Sequence, residues 1–238
     1  MGGVHFIPIG NKILPILWRE RFPANVSKAL VWHDNPRGTV NNSKLELAGL
    51  IAHADVLSQH VDIAEYTTHN CYDNTATVQW QRKGSTTTLG PTAYLLRLQA
   101  IHKRHHRYIA LHDYVPVKRN VLADICSRRC NLSDNQLLTL FNSEYPQTEP
   151  WTMCHFRPQM LSALTCPLFR KQCDLESLLN VPQHWINIGN DGTNSVSATT
   201  LTHFFATGKT QHQSSRCLAN DTVMVDWHPK NTLCDLEQ

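Results

Sequence analysis

Charged residues are scarce in this chain, at 17% of 238, against roughly a quarter in ordinary domains. Paired CxxC motifs are lacking although there are eight cysteines, at positions 71, 126, 130, 154, 166, 173, 217 and 234. Cys126 and Cys130 lie one helical turn apart and Cys154 precedes His155, but neither pattern has zinc-finger spacing. A structural zinc site is therefore not expected. Irregular cysteines of this kind fit free thiols in a reducing, intracellular compartment, cytoplasmic or nuclear. No apolar run approaches the ~20 residues needed to span a bilayer, and no charged-then-apolar leader is recognisable. A membrane partner is not expected. No internal repeat is visible.

Apolar residues reach 41%, enough for a real core. The small net charge of +3 hides an asymmetry. Residues 1–130 hold 16 Lys and Arg against 9 Asp and Glu, a net of +7, whereas residues 131–238 hold 6 against 10, a net of −4. A basic first half points to a polyanionic partner.

Met1 to Pro8 reads as a strand entered from a glycine turn, and Ile13 to Phe22 can pair with it as a hairpin. Pro8, Gly10 and Asn11 are the turn formers between them. Asn35-Pro36-Arg37-Gly38 marks a loop. Asn42 or Ser43 can cap a helix to about His60, whose stripe is Leu47, Leu50, Ile51 and Ala54. Val61 to Tyr72 has strand character, residues 74–83 form a short helix, and Ser85 to Thr88 lie in a polar loop. Pro91 to His106 is a second long helix with a basic end. Tyr108 to Val115 alternates as a strand, and Asn120 to Cys130 is helical. Trp18, Trp32 and Trp80 read as packing residues, and His112 as structural. Strands alternating with helices predict an α/β layer on a mixed sheet. Beyond 130, Ser133-x-x-Gln136 opens a capping box in a helical connector over 131–180. Residues 181–238, dominated by Asn, Ser, Thr, Gly and His, read as linker or disordered tail.

Three acids stand at informative places: Glu46 in the first long helix, Asp73 at the exit of a strand, and Asp124 in the helix of residues 120–130. Each has a bland explanation: a solvated helix flank, a turn or cap, and an i,i+4 ion pair with Arg128. Taken together in this order, they can converge at one sheet edge. Hard divalent cations want such oxygen ligands, and two Mg²⁺ about 4 Å apart leave positions for phosphate and water.

The pieces Gly2-Gly3-Val4, Leu45-Glu46-Leu47, Asp73-Asn74-Thr75, Gly84-Ser85-Thr86 and Asn120-x-x-Ala123-Asp124-x-x-Ser127-Arg128 carry a resemblance. Over roughly residues 1–130 the chain resembles the ribonuclease H domain of retroelement polyproteins, DIRS-like above all and gypsy-like more distantly. The resemblance implies a ribonuclease H-like mixed sheet with flanking helices, here with the first strand missing, plus an irregular C-terminal extension. It also implies Mg²⁺-dependent cleavage of the RNA strand of an RNA–DNA hybrid, with Glu46, Asp73 and Asp124 as metal ligands and catalytic residues, and the reverse transcriptase portion of a parent polyprotein as partner. A fourth ligand, an Asp on the absent inner strand, is not supplied by Asp34, Asp55 or Asp62. The fragment is thus expected to be inactive or nearly so, and marginally folded.

Arg82, Lys83, Ser85, Thr86, Lys103 and Arg104 are the candidate contacts to a sugar–phosphate chain, which position a duplex without reading its bases. The alternative is a non-catalytic nucleic-acid-binding or scaffolding remnant that keeps this basic face. A third possibility is an unrelated α/β binding module.

Overall fold

The computed structural model describes residues 1–87 and 90–169 in full, and 200–206 as backbone. The hairpin is present: β1 (Gly2–Ile9) and β2 (Lys12–Arg19) pair antiparallel, with Val4 opposite Leu17 and Phe6 opposite Pro15. Gly10 turns the chain at φ +57°, a left-handed conformation that costs glycine nothing. A short helix, α1 (Ala24–Lys28), leads to α2 (Asn42–His60). Asn41, one residue ahead of the expected cap, accepts from the Lys44 N–H at 3.1 Å. Only the second half of the Val61–Tyr72 stretch is a strand, β3 (Thr67–Tyr72).

Then follow α3 (Thr75–Lys83), α4 (Pro91–His106), β4 (Ile109–Tyr114), a 3₁₀ turn at Val117–Arg119, and α5 (Val121–Arg128). The expected capping box opens α6 (Asp134–Glu144), with Ser133 and Gln136 satisfying each other's backbone N–H. β5 (Thr152–Cys154) and α7 (Pro158–Leu168) come next, and β6 (Thr200–Ala206) is the last described element.

The fold is mixed α/β, with one six-stranded mixed sheet in the order β4-β3-β6-β1-β2-β5. Side chains alternate across it, as a period of two requires. Ile7, Ile16, Trp18 and Tyr72 join Leu47, Ile51, Leu95, Leu98, Met160 and Leu164 in a cluster under α2, α4 and α7. Val4, Phe6, Leu17 and Cys71 join Leu122, Cys126, Leu137, Phe141 and Trp151 under α5 and α6. Each fully buried aliphatic or aromatic side chain stabilises by about 1.5–3 kcal/mol.

Two expectations need correction. Residues 134–168 are not a separate connector: β5 extends the sheet beside β2, and α6 and α7 complete the two clusters. The tail is not linker throughout either. Residues 200–206 occupy the inner position between β1 and β3, antiparallel to the first and parallel to the second. The inner strand expected to be missing therefore has an occupant. The polar residues around it hid it, although Thr200, Thr202, Phe204 and Phe205 are themselves good strand formers. Residues 170–180 of the expected connector, and 181–199 and 207–238 of the expected linker, lie outside the described residues.

Trp18 is fully buried and Trp80 packs against the larger cluster, but Trp32 is 56% exposed and is not a core residue. Among the described residues, no helix is long and apolar enough to cross a membrane.

Candidate functional site

The carboxyl end of β3 gathers the acidic positions. α3 begins directly after it, capped by Asn74, whose side chain accepts from the Thr77 N–H at 2.9 Å. The Thr77 hydroxyl lies 3.5 Å from the Ser43 carbonyl, so the first turn of α2 stands at the same end. Glu46 is one turn further along α2, and Asp73 is the residue that leaves β3. The opposite face of this end is covered by α5. A Cβ on Gly2 would fall 2.8 Å from the Cys126 carbonyl carbon, so only glycine lets the helix lie this close to β1. Gly2 pairs with Ala206, and Phe205 pairs with Tyr72. One sheet end thus carries Glu46, Asp73 and the helix that holds Asp124. Carboxyl ends of strands are where open α/β sheets bind ligands.

The three acids differ in state. Glu46 is buried, against the solvated-flank reading, and accepts from Asn42 Nδ2 at 2.6 Å. Asp73 is buried too, and Asn74, not Asp73, is the helix cap. Asp124 lies in the first turn of α5, where a negative charge suits the helix dipole, and it is ion-paired with Arg128. That pair is the bland reading of Asp124, realised. Among the described residues, no group of three His, Cys, Asp or Glu side chains is placed to hold a metal ion. The buried carboxylates Glu46 and Asp73 offer the hard oxygen donors that Mg²⁺ prefers. They do not form a cage with Asp124.

The basic candidates divide. Arg82 Nη2 donates to Asp113 Oδ1 at 2.7 Å and its Nε donates to the His112 carbonyl at 3.0 Å. Lys103 Nζ stands 3.4 Å from His112 Nε2, and partial burial lowers its pKa. These two cations therefore meet at the middle of β4. Lys83, Ser85 and Arg104 are exposed, and Thr86 is half-buried. Burial, and then the charges of Lys103 and Arg82, push the His112 imidazole down to about 3, so it is neutral at pH 7. Its ring stacks on Tyr72 at 5.7 Å, which suits the structural role expected of it.

Two constellations went unnoticed in the sequence. On β3 and β4, His69 Nε2 lies 2.5 Å from Asp113 Oδ2, while Arg82 holds the other oxygen. The parallel pairing places His69 beside Leu111 and Cys71 beside Asp113, a register that sequence spacing alone does not reveal. The second lies beneath α2, where Asp55, fully buried, takes both Arg157 donors and Gln59 Nε2 at 2.9 Å. Burial pushes the Asp55 carboxyl up, but His102 and Arg157 outweigh it and bring it below the ordinary carboxylate range. His102 Nε2 is 3.6 Å away, too far for a good hydrogen bond, so Arg157 is the principal partner. The separation of 102 positions between Asp55 and Arg157 explains why no motif announced this pair.

No family model, curated protein or solved structure matches the chain.

Proposed function

We propose that the chain is a ribonuclease H-like domain of a retroelement polyprotein, one that engages RNA–DNA hybrid and cleaves it poorly or not at all. The observation that carries this reading is the placement of Glu46 and Asp73, both buried, at the carboxyl end of β3, with α5 packed on Gly2 through Cys126 at the same end. Exposed Lys83, Ser85 and Arg104 supply phosphate contacts of the positioning kind. A hybrid is distinguished by duplex geometry and 2′-hydroxyls rather than by base edges. The ion pair with Arg128 competes with a metal for the Asp124 carboxylate, which supports weak cleavage. The reverse transcriptase portion of the parent polyprotein and Mg²⁺ belong to this proposal as its partner and its ion.

The same ion pair favours a second reading, a non-catalytic nucleic-acid-binding remnant. Titration of the chain with labelled hybrid, duplex DNA and single-stranded RNA over a range of salt, with and without Mg²⁺, separates the possibilities. Preferential hybrid binding with a log–log salt slope of roughly −3, as a few released counterions give, is the expected result. Traces of Mg²⁺-dependent cleavage removed by Glu46→Gln or Asp73→Asn mark the enzyme; binding without any cleavage marks the remnant. Failure to bind any nucleic acid overturns both and leaves an unrelated α/β module.

A further inference from the structure

The inner position of the sheet is filled by a segment remote from its neighbours. β1 and β2 pair over eight positions and β3 and β4 over six, each pair joined by chain that never leaves its own region. Within the sheet, among the described residues, β1 and β3 are joined by Thr200–Ala206, which aligns five residues with β1 and six with β3. The walls of the position are buried: Val4, His5 and Phe6 on one side, and Thr68 to Tyr72 on the other, all at 7% exposure or less. α2 and α5 pack on it from the two faces. Backbone N–H and C=O groups on two facing inner edges cannot remain unpaired away from water. The position therefore binds an extended strand through main-chain hydrogen bonds on both sides, the strand-addition mode of peptide recognition made two-sided.

We propose that this position is a strand-exchange slot, and that Thr200–Ala206 is its tethered occupant, exchangeable with the same segment of a second copy. Among the described residues, the clusters already join the two sides of the slot, Ile7 with Tyr72 in one and Val4 and Phe6 with Cys71 in the other. Thirty-one residues, 169–199, separate the last residue of α7 from the occupant. Extended chain spans about 3.3–3.6 Å per residue, so the connection does not dictate which copy supplies the strand. A tether raises the effective concentration of its own segment to roughly the millimolar range. The resident strand is thus favoured in dilute solution, and exchange is favoured at high concentration. Main-chain recognition sets direction and register, parallel to β3 and antiparallel to β1. The final residue, Ala206, pairs with Gly2 at the acidic end, so an exchanged strand brings a second copy's chain to that end. The inference does not rest on nucleic-acid binding and is tested without it.

The experiment uses the full-length chain with a protease recognition sequence in place of residues 183–188. After cutting, the C-terminal piece is expected to co-elute with the rest in gel filtration. A labelled peptide spanning 198–208 is then expected to replace it at one per chain, whereas the same peptide with His203→Pro is not. Proline lacks the N–H that a central strand needs at every position. Hydrogen exchange on the uncut chain supplies the second measurement: the slot-facing amides of β1 and β3 are expected to be among the slowest, and to lose protection together in the H203P chain. Release of the C-terminal piece with β1 and β3 protection unchanged overturns the proposal. So does retention of the piece with no exchange during long incubation in sub-denaturing urea.

Discussion

The two faces of the sheet are covered unequally. The face under α2, α4 and α7 holds the larger apolar cluster and closes over an ionic centre, Asp55 with Arg157, Gln59 and His102 nearby. The face under α5 and α6 is covered over β1 and β2 but stays open at β4, where Ile109 and Leu111 are 66% and 52% exposed. His69 and Asp113 lie on that second face, and Asp124 sits in the helix that covers part of it. The difference separates two duties. A closed face gives cohesion, and its polar groups must be satisfied internally. A partly open face can meet a ligand, and its charged groups are arranged in pairs that water also reaches.

The largest effect is expected where the closed face is broken at its charge. Arg157→Leu leaves the Asp55 carboxylate buried beside an apolar chain, and removal of one partner of a buried pair costs about 3–5 kcal/mol. Urea unfolding of this variant should show a large drop in midpoint at pH 7. A double variant that also carries Asp55→Leu should recover much of the loss, because the uncompensated charge is gone. If the single variant melts like the parent, the two faces do not differ in the way argued.

Acid should also strike the closed face first. Burial, reinforced by the charges of His102 and His105, pushes the His106 imidazole down to about 3, and His112 is lowered to a similar value. Both point to the α4 side of the sheet, His106 against His102 at 4.4 Å and His112 against Tyr72. The unfolded chain protonates these rings near pH 6.5, well above the folded chain. Protons are thus bound in excess by the unfolded state between about pH 6.5 and 3, and stability must fall as pH falls through that window. Asp55 acts later: its lowered value keeps its contribution intact above its ordinary range and loses it only as pH drops through the folded value. Thermal melts from pH 7.5 to 4.5 should show a steady decline, shallower in His106→Gln and shallower again when His112→Gln is added. A flat profile would mean that neither ring is buried neutral.

Legibility in the sequence followed the range of the interactions. The hairpin, α2, α3, α4 and the Ser133 cap were readable because each is set by neighbours within a few residues: Gly10 for the turn, Pro91 at the first helical position, Ser133 with Gln136 for the box. Element order alone raised the expectation that Glu46, Asp73 and Asp124 converge; Glu46 and Asp73 stand at one sheet end, whereas Asp124 is paired with Arg128. What the sequence hid was long-range. The Asp55–Arg157 pair spans 102 residues and the His69–Asp113 pair 44. Thr200–Ala206 is rich in strand formers but stands in a polar neighbourhood, and its partners β1 and β3 lie far off in the sequence. Trp32 was misjudged because an aromatic ring in a short loop, beside a bridge from its own backbone to Asn35, has no covering element.

A moderate effect belongs to the covered part of the second face. Ser133→Ala removes the oxygen that accepts the Gln136 N–H at 3.2 Å and opens the reciprocal box. Loss of a cap costs about 1 kcal/mol, and Leu137 and Phe141, both fully buried on this helix, transmit it to the smaller cluster. Chemical denaturation should register a shift of that order. Fluorescence of Trp151, which packs against Phe141 at 5.0 Å, should report the same transition rather than an earlier one.

The smallest effect is the most informative about the open part. Leu111→Ser replaces an apolar side chain that is more than half exposed on β4, so little apolar area is returned to water and stability should change by no more than about 0.5 kcal/mol. The backbone is not at risk either, since the pairing of Leu111 with His69 is held by the ladder and by Asn70 Nδ2, which donates to the Leu111 carbonyl at 3.2 Å. The same change removes the centre of an apolar strip bounded by Ile109. If that strip is the site of a macromolecular contact, Leu111→Ser should weaken the contact while leaving the melt untouched, and the separation of the two readouts is the test. A loss of stability approaching that of Ser133→Ala would instead show that this region is covered in solution, and the contrast between a closed and an open face would have to be withdrawn.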